Sequence, residues 1–196
     1  MTFTFSPTLF DNEVHMQYGT AILFNHHKLR LMSVEIIYLP TGIEPRNSPC
    51  LIIQSRSTNI TFRVCSIHLD HHTTDNQIRL QQANFLINWL KQEPYYPTVL
   101  LGDFNANRTS ETLTNFYGYF FDDHSSENTR PTWYDCNEML LKDKIDYILF
   151  DRLSQWKIKY FLHGLNIKKL YPSIEITMLS DHVPLFTEAI LSVTVK

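Results

Sequence analysis

Ile60-Thr61-Phe62-Arg63-Val64-Cys65-Ser66-Ile67-His68-Leu69-Asp70 is an apolar, β-branched run that ends in a histidine and a carboxylate. In an extended chain Ile60, Phe62 and Val64 share one face, while Cys65, Ile67 and Leu69 share the other. Both faces are apolar, so this strand requires cover above and below, which means at least two packed layers. Comparable runs recur on either side: Thr20 to Phe24, Leu31 to Leu39, Cys50 to Gln54, Thr98 to Leu101, Ile145 to Phe150 and Val183 to Leu191. The short polar links Asn25 to Lys28 and Arg56 to Asn59 predict hairpins and antiparallel pairing. One helix is predicted over Asp75 to Gln92, with Thr74 and Gln77 at capping-box spacing, Ile78, Phe85, Leu86, Trp89 and Leu90 along one side, and Pro94 as its stop. A shorter one is expected over Thr109 to Phe116, followed by aromatic residues that belong in a core. Strands buried on two faces with few helices predict two sheets packed together and helices outside.

The 196 residues suit one domain, taken as 1–196, and they show no repeat or linker. A hydrophobic share of 43% with 19% charged residues excludes intrinsic disorder, and five glycines exclude a collagen-like chain. A formal charge of −3 gives no overall attraction for nucleic acid or an anionic membrane. No stretch reaches the roughly 18 apolar residues of a membrane span, and the first ten residues lack a signal-peptide pattern. A cytoplasmic or nuclear location is therefore expected, with Cys50, Cys65 and Cys136 as free, mostly buried thiols.

Chemistry enters where apolar runs meet polar residues. Four times a strand adjoins a carboxylate or a histidine: Ser66-Ile67-His68-Leu69-Asp70, Leu100-Leu101-Gly102-Asp103-Phe104-Asn105, Lys144-Ile145-Asp146-Tyr147-Ile148-Leu149 and Ser180-Asp181-His182. Charges at the edge of a core are costly unless paired, hydrogen-bonded or bound to metal. Converging aspartates, an asparagine and histidines make a hard, oxygen-rich pocket that suits Mg2+ or Mn2+ and a phosphate. Singly, Gly102-Asp103 is a common turn and Ser180-Asp181 an ordinary solvated loop. The His68, Asp70, His71 and His72 group also admits a zinc site, although His71 and His72 precede a helix cap where polar residues are expected. Asp146 lies inside an apolar strand and needs a partner, for which a histidine is the natural choice.

Taken in order, His68-Leu69-Asp70, Leu101-Gly102-Asp103-Phe104-Asn105-Ala106, Ile145-Asp146-Tyr147-Ile148-Leu149 and Ser180-Asp181-His182-Val183-Pro184-Leu185 resemble the endonuclease/exonuclease/phosphatase superfamily, the DNase I-like fold. With Gly19-Thr20-Ala21-Ile22-Leu23 the resemblance runs from Gly19 to about Phe186. It implies an α/β four-layer sandwich, two mixed β-sheets face to face and flanked by helices. It also implies metal-dependent hydrolysis of a phosphate ester: nucleic acid, a phospholipid headgroup or an inositol phosphate. In that scheme Asp103 positions or deprotonates water, and Asn105 holds the water and a phosphate oxygen. His182 polarises the phosphate or moves a proton, and Asp146 orients His182. His68 stabilises the leaving oxygen, while Asp181 and Asp103 bind the Mg2+ or Mn2+.

One departure bears on all of this. The family opens with a strand bearing an asparagine, a helix, and a strand ending in Gln-Glu whose glutamate binds metal. Only eighteen residues precede Gly19, fewer than two strands of about five residues and a helix of about eleven require. The chain is therefore expected to be N-terminally truncated. Glu13 is not at the end of an apolar strand, and Glu35 within Val34-Glu35-Ile36 is expected to face outward. Two functions follow as expectations: a metal-dependent phosphodiesterase or phosphatase with an incomplete metal site, or an inactive fragment or pseudoenzyme that acts as a noncatalytic binding module. Lys157, Lys159, Lys168 and Lys169 form the only modest basic cluster, read as a solvated face, and Trp133 with Tyr134 would either stack on a base or pack.

Overall fold

A computed structural model describes residues 2–7, 19–42, 45–72, 76–92, 94–123, 128–135, 138, 140–164 and 180–192. Its elements in order are β1 (Thr2–Pro7), β2 (Gly19–Phe24), β3 (Leu29–Tyr38), β4 (Asn47–Ser55), β5 (Thr61–His68), α1 (Asn76–Leu90), β6 (Thr98–Asp103), α2 (Glu111–Tyr117), β7 (Phe120–Phe121), β8 (Tyr134–Asp135), β9 (Leu140–Leu141), β10 (Asp146–Asp151), β11 (Gln155–His163) and β12 (Leu185–Ser192).

The central element is a six-stranded mixed sheet in the order β3-β4-β5-β6-β10-β7. β5 and β6 run parallel, with α1 in the connection between them, and the other pairs are antiparallel. α1 lays Ile78, Ala83, Leu86, Ile87 and Leu90 on the sheet, and α2, capped by Ser110, adds Leu113 and Phe116. All of these but Ile78 join Cys65, Ile67, Leu100, Tyr147 and Leu149, which project from alternate positions of the three central strands, in one apolar core. Phe85, expected on the buried side of α1, is 43% exposed instead, because the buried stripe runs through Gln82 and Ala83. Of the aromatic residues expected in a core, Phe116 and Phe120 are buried in it and Tyr117 packs against it, whereas Tyr119 is 44% exposed.

Two ribbons, β1-β2 and β11-β12, cover the opposite face. Ile22 and Phe24 of β2 pack on Leu51 and Ile53 of β4, and Trp156 of β11 meets Phe62 edge-on and Phe150 in a tilted contact. The result is an α/β sandwich with sheets packed face to face and helices outside. The link Asn25 to Lys28 does not form a hairpin within one sheet, since β2 pairs with β1 and β3 with β4. It is a corner, closed by the Leu29 N–H donating to the Asn25 carbonyl (2.9 Å), that carries the chain from one layer to the other. Cys50 and Cys65 are not free thiols: they face each other across β4 and β5, fully buried with Cα atoms 4.1 Å apart, and are joined in a disulfide. Thr74, Cys136, Lys168 and Lys169 lie outside the described residues, and no described helix is long and apolar enough to cross a membrane.

Candidate active site

Sheet register assembles the first half of the site. His68 is opposite Asp103 across the parallel pair β5-β6, and Asp103 is opposite Asp146 across β6-β10. The three residues thus form a row over the ends of neighbouring strands. Their alternation with Ile67 and Tyr147, which enter the helix-side core, turns them toward the ribbon side. Gly102 (φ 135°) permits the close approach beside Asp103, because a Cβ there would stand 2.1 Å from the Ile67 carbonyl oxygen. Asn105, also in the left-handed region (φ 48°), folds the chain back so that its N–H donates to Asp103 Oδ1 (2.7 Å). Its side-chain Nδ2 donates to the Leu69 carbonyl at 3.0 Å.

The second half arrives from far along the chain. Tyr134 N–H donates to the Asp181 carbonyl and Val183 N–H to the Thr132 carbonyl, each at 2.7 Å, with a β-bridge between Trp133 and His182. This pairing sets His182 over the strand ends. Its Nδ1–H donates to Asp146 Oδ2 at 2.9 Å, and its Nε2 lies 4.0 Å from Asp103 Oδ2. His68 Nε2 stands 3.8 Å from the same carboxylate oxygen. A cleft of about 480 Å3 opens above, lined by His68, Asp103, Asn105, Trp133, Asp181 and His182 among others. Every site residue expected from the sequence therefore lies in or directly beneath one cleft.

The charges within it are arranged unevenly. Hydrogen bonding to Asp146 raises the pKa of His182 to about 9, so the imidazolium form prevails at neutral pH. Burial, and then the negative charge of Asp146, push Asp103 up to about 6. Burial with the Arg46 guanidinium and His71 nearby lowers His68 to about 4, which keeps it neutral. One charged imidazole, one neutral imidazole and one carboxylate near its titration point thus share a single opening.

Oxygen and nitrogen atoms of Asp103, Asp146 and His182 lie within 4.8 Å of one another, close enough to hold a metal ion together. Two neighbouring carboxylates, of which Asp146 raises the proton affinity of Asp103, suit a hard divalent cation, whose charge would relieve that repulsion. Asp181 lines the same cleft from an exposed position outside this trio. The zinc alternative does not materialise: among the described residues His68, Asp70, His71 and His72 form no metal-holding group. Arg46 lies 3.3 Å from both ring nitrogens of His68 and 2.6 Å from His71 Nδ1, while Asp70 Oδ1 accepts from His72 N–H. Glu35 is half-buried rather than outward-facing. It sits opposite Cys50 on the helix-side face, whereas the site carboxylates leave the other face. Glu13 lies outside the described residues.

Sequence reasoning missed Arg46, Arg79, Thr132 and Lys144. Arg46 and Arg79 border the two histidines but stand in no periodic pattern, Arg79 holding the Asp70 and His72 carbonyls at 3.2 and 2.9 Å. Lys144 precedes the Asp146 strand, where a lysine ordinarily marks a strand end in water. Here it is 8% exposed.

The model of the Endonuclease/Exonuclease/phosphatase family matches residues 3–182. No curated protein matches the chain. Among solved structures, a functionally unknown conserved protein from Enterococcus faecalis V583 is 25% identical with a TM-score of 0.75, the match covering 97% of this chain and 78% of that one. The mannosyl-6-phosphatase of Bacteroides thetaiotaomicron is 17% identical (TM-score 0.70, covering 96% and 77%). TDP2 of D. rerio, complexed with a single-strand DNA product, is 17% identical as well (TM-score 0.71, covering 96% and 77%). At these identities the last two show a shared fold.

Proposed function

This chain belongs to the endonuclease/exonuclease/phosphatase family, and we propose that it is a divalent-metal-dependent hydrolase of phosphate esters. The observation that carries the proposal is the convergence of His68, Asp103, Asn105 and His182 on one cleft with the Asp146–His182 bond beneath them. Asp103 positions or deprotonates the attacking water, its carboxyl, held near 6 without a cation, being ionised at neutral pH. The Asn105 side chain, anchored to Leu69 through Nδ2, leaves its carbonyl oxygen to orient that water. Asp146 fixes His182 in the form that carries a proton on both nitrogens. Its Nε2–H, facing Asp103 across the opening, stabilises charge building on a phosphate oxygen. Neutral His68 donates a hydrogen bond to the departing oxygen.

Asp103 and Asp181, with Asp146 close behind, would hold Mg2+ or Mn2+, which supplies charge neutralisation of the phosphate and of the leaving oxygen. The substrate is a phosphate ester: a nucleic acid, a phospholipid headgroup or an inositol phosphate. Structural neighbours named for a phosphorylated sugar and for a DNA product are consistent with a phosphate ester, and fold alone does not choose among these. The test is hydrolysis of p-nitrophenyl phosphate and bis-p-nitrophenyl phosphate with and without Mg2+ or Mn2+, beside an Asp103→Ala, His182→Ala double variant. Metal-dependent turnover by the parent alone supports the hydrolase. Absent turnover together with absent cation binding in calorimetry would replace it with a noncatalytic phosphate-binding module.

A further inference from the structure

Asp146 is paired with β6 on one side but, among the described residues, has no strand beside it on the other. β7 pairs with β10 only at Phe150 and Asp151, so the backbone of Asp146 on that side finds no ladder partner among the described strands. Side chains take the place of the strand. The N–H groups of Ile145 and Asp146 both donate to Thr132 Oγ1 at 3.1 Å, and the Asp146 carbonyl accepts from Lys144 Nζ at 2.7 Å. Thr132 is completely buried, and its own N–H donates to the Asp143 carbonyl at 2.8 Å. Its carbonyl accepts from Val183 N–H at 2.7 Å, the residue directly after His182.

One residue therefore holds the acid of the Asp146–His182 pair through its side chain and, through its carbonyl, the residue next to the base. We propose that Thr132 is the positioning residue of this site, the joint that brings a histidine from one end of the chain into register with an aspartate 36 positions earlier. Its role in turnover rests on the hydrolase reading, whereas its role in the Asp–His geometry does not. Thr132→Val preserves shape and burial but withdraws the acceptor from two backbone N–H groups, which then move to find another. Thr132→Ser keeps the acceptor.

Two readouts separate positioning from general stability. The first is the proton NMR signal of His182 Nδ1–H, assigned by its loss in His182→Ala. The parent and Thr132→Ser should show it at low field, and Thr132→Val should lose or shift it while the far-UV dichroism stays native. The second is turnover: kcat should fall about 10- to 100-fold in Thr132→Val, as for loss of other groups that orient reacting side chains. KM should change less than about 2-fold, and Thr132→Ser should restore kcat to within about 3-fold of the parent. A valine variant with the low-field proton and kcat intact overturns the assignment, as does failure of serine to rescue. If the valine chain does not fold, amide exchange in the unsubstituted protein decides: Asp146 N–H must be protected like Leu149 N–H in mid-strand, and free exchange overturns the proposal. Absence of turnover in the parent would refute the hydrolase and leave the NMR arm to judge Thr132 on its own.

Discussion

The two faces of the six-stranded sheet are made by alternate residues of the same strands, yet they are opposite in character. On the helix side Cys65, Ile67, Leu100, Tyr147 and Leu149 are all at most 1% exposed, in one apolar core. On the ribbon side Val64, Leu101 and Ile148 are only half-buried, and the same strands finish in His68, Asp103 and Asp146. The dense helix-side core and the polar strand ends thus lie one residue apart on the same strands. This division lets a charge-rich cleft form at the strand ends, because the strands that carry its unfavourable electrostatics are held from behind by apolar packing.

Exchanging one residue on each face should separate the two properties. The largest effect is expected on the chemical face, where Asp103→Asn keeps shape but removes the base. Turnover should fall by about 100- to 10,000-fold, the usual span for general base catalysis, and activity within threefold of the parent would remove Asp103 from that role. On the packing face, Leu100→Ala deletes a fully buried side chain and should cost about 2–5 kcal/mol in urea unfolding, with kcat per folded molecule unchanged. A loss below 1 kcal/mol would mean that the helix-side core is not what holds these strands.

Asp103→Asn should also stabilise the fold, by on the order of 1–3 kcal/mol at pH 8. The sign follows from the raised pKa: with a folded value of about 6 against 3.8 unfolded, the native state binds the extra proton between those values. Stability therefore declines as pH rises through that window and stays reduced above it, and asparagine removes the decline. The advantage should vanish near pH 4. Millimolar Mg2+ should shrink it as well, by stabilising the parent and not the variant. A variant less stable than the parent at pH 8 without metal would show that burial and Asp146 do not burden this carboxylate.

Much of this site was legible in the sequence because strand periodicity and polar strand ends are both local signals. His68, Asp103 and Asp146 each close or open an apolar run, and placing those runs side by side is enough to align them. What escaped depends on long-range register. Cys50 and Cys65 face each other only once β4 and β5 are paired, and Thr132 matters only once residues 132–134 lie against 181–183. β11 was missed although Gln155-Trp156-Lys157-Ile158-Lys159 alternates with a period of two, because its lysines read first as a basic cluster. Lys157 and Lys159 form the exposed face of that strand, the solvated face expected of them, the latter paired with Glu188 on β12. The Asn25 to Lys28 link shows a further limit, since a four-residue polar turn serves equally well as a hairpin or as a corner between layers.

The smallest expected effect concerns His182, which belongs to both halves of the contrast because its charge is supported by a residue of the sheet. Its hydrogen bond to Asp146 raises its pKa to about 9 from 6.5, so the bonded, protonated form contributes stability fully below pH 6.5 and loses it as pH rises toward 9. The side chain is 31% exposed, and solvent screening limits the contribution to about 1 kcal/mol. Asp103 and His68 change protonation below this window and pull in opposite directions there, because burial favours the neutral form of each. Lys144, lowered to about 8 mainly by burial, acts at the upper end in the opposite sense to His182. The informative quantity is thus the difference between the parent and His182→Gln between pH 6.5 and 8, where the parent should lose stability with rising pH and the glutamine chain should not. Equal slopes would mean that the imidazolium is not held by Asp146 in solution, and the charge assigned to His182 in turnover would have to be supplied by another cation in the cleft.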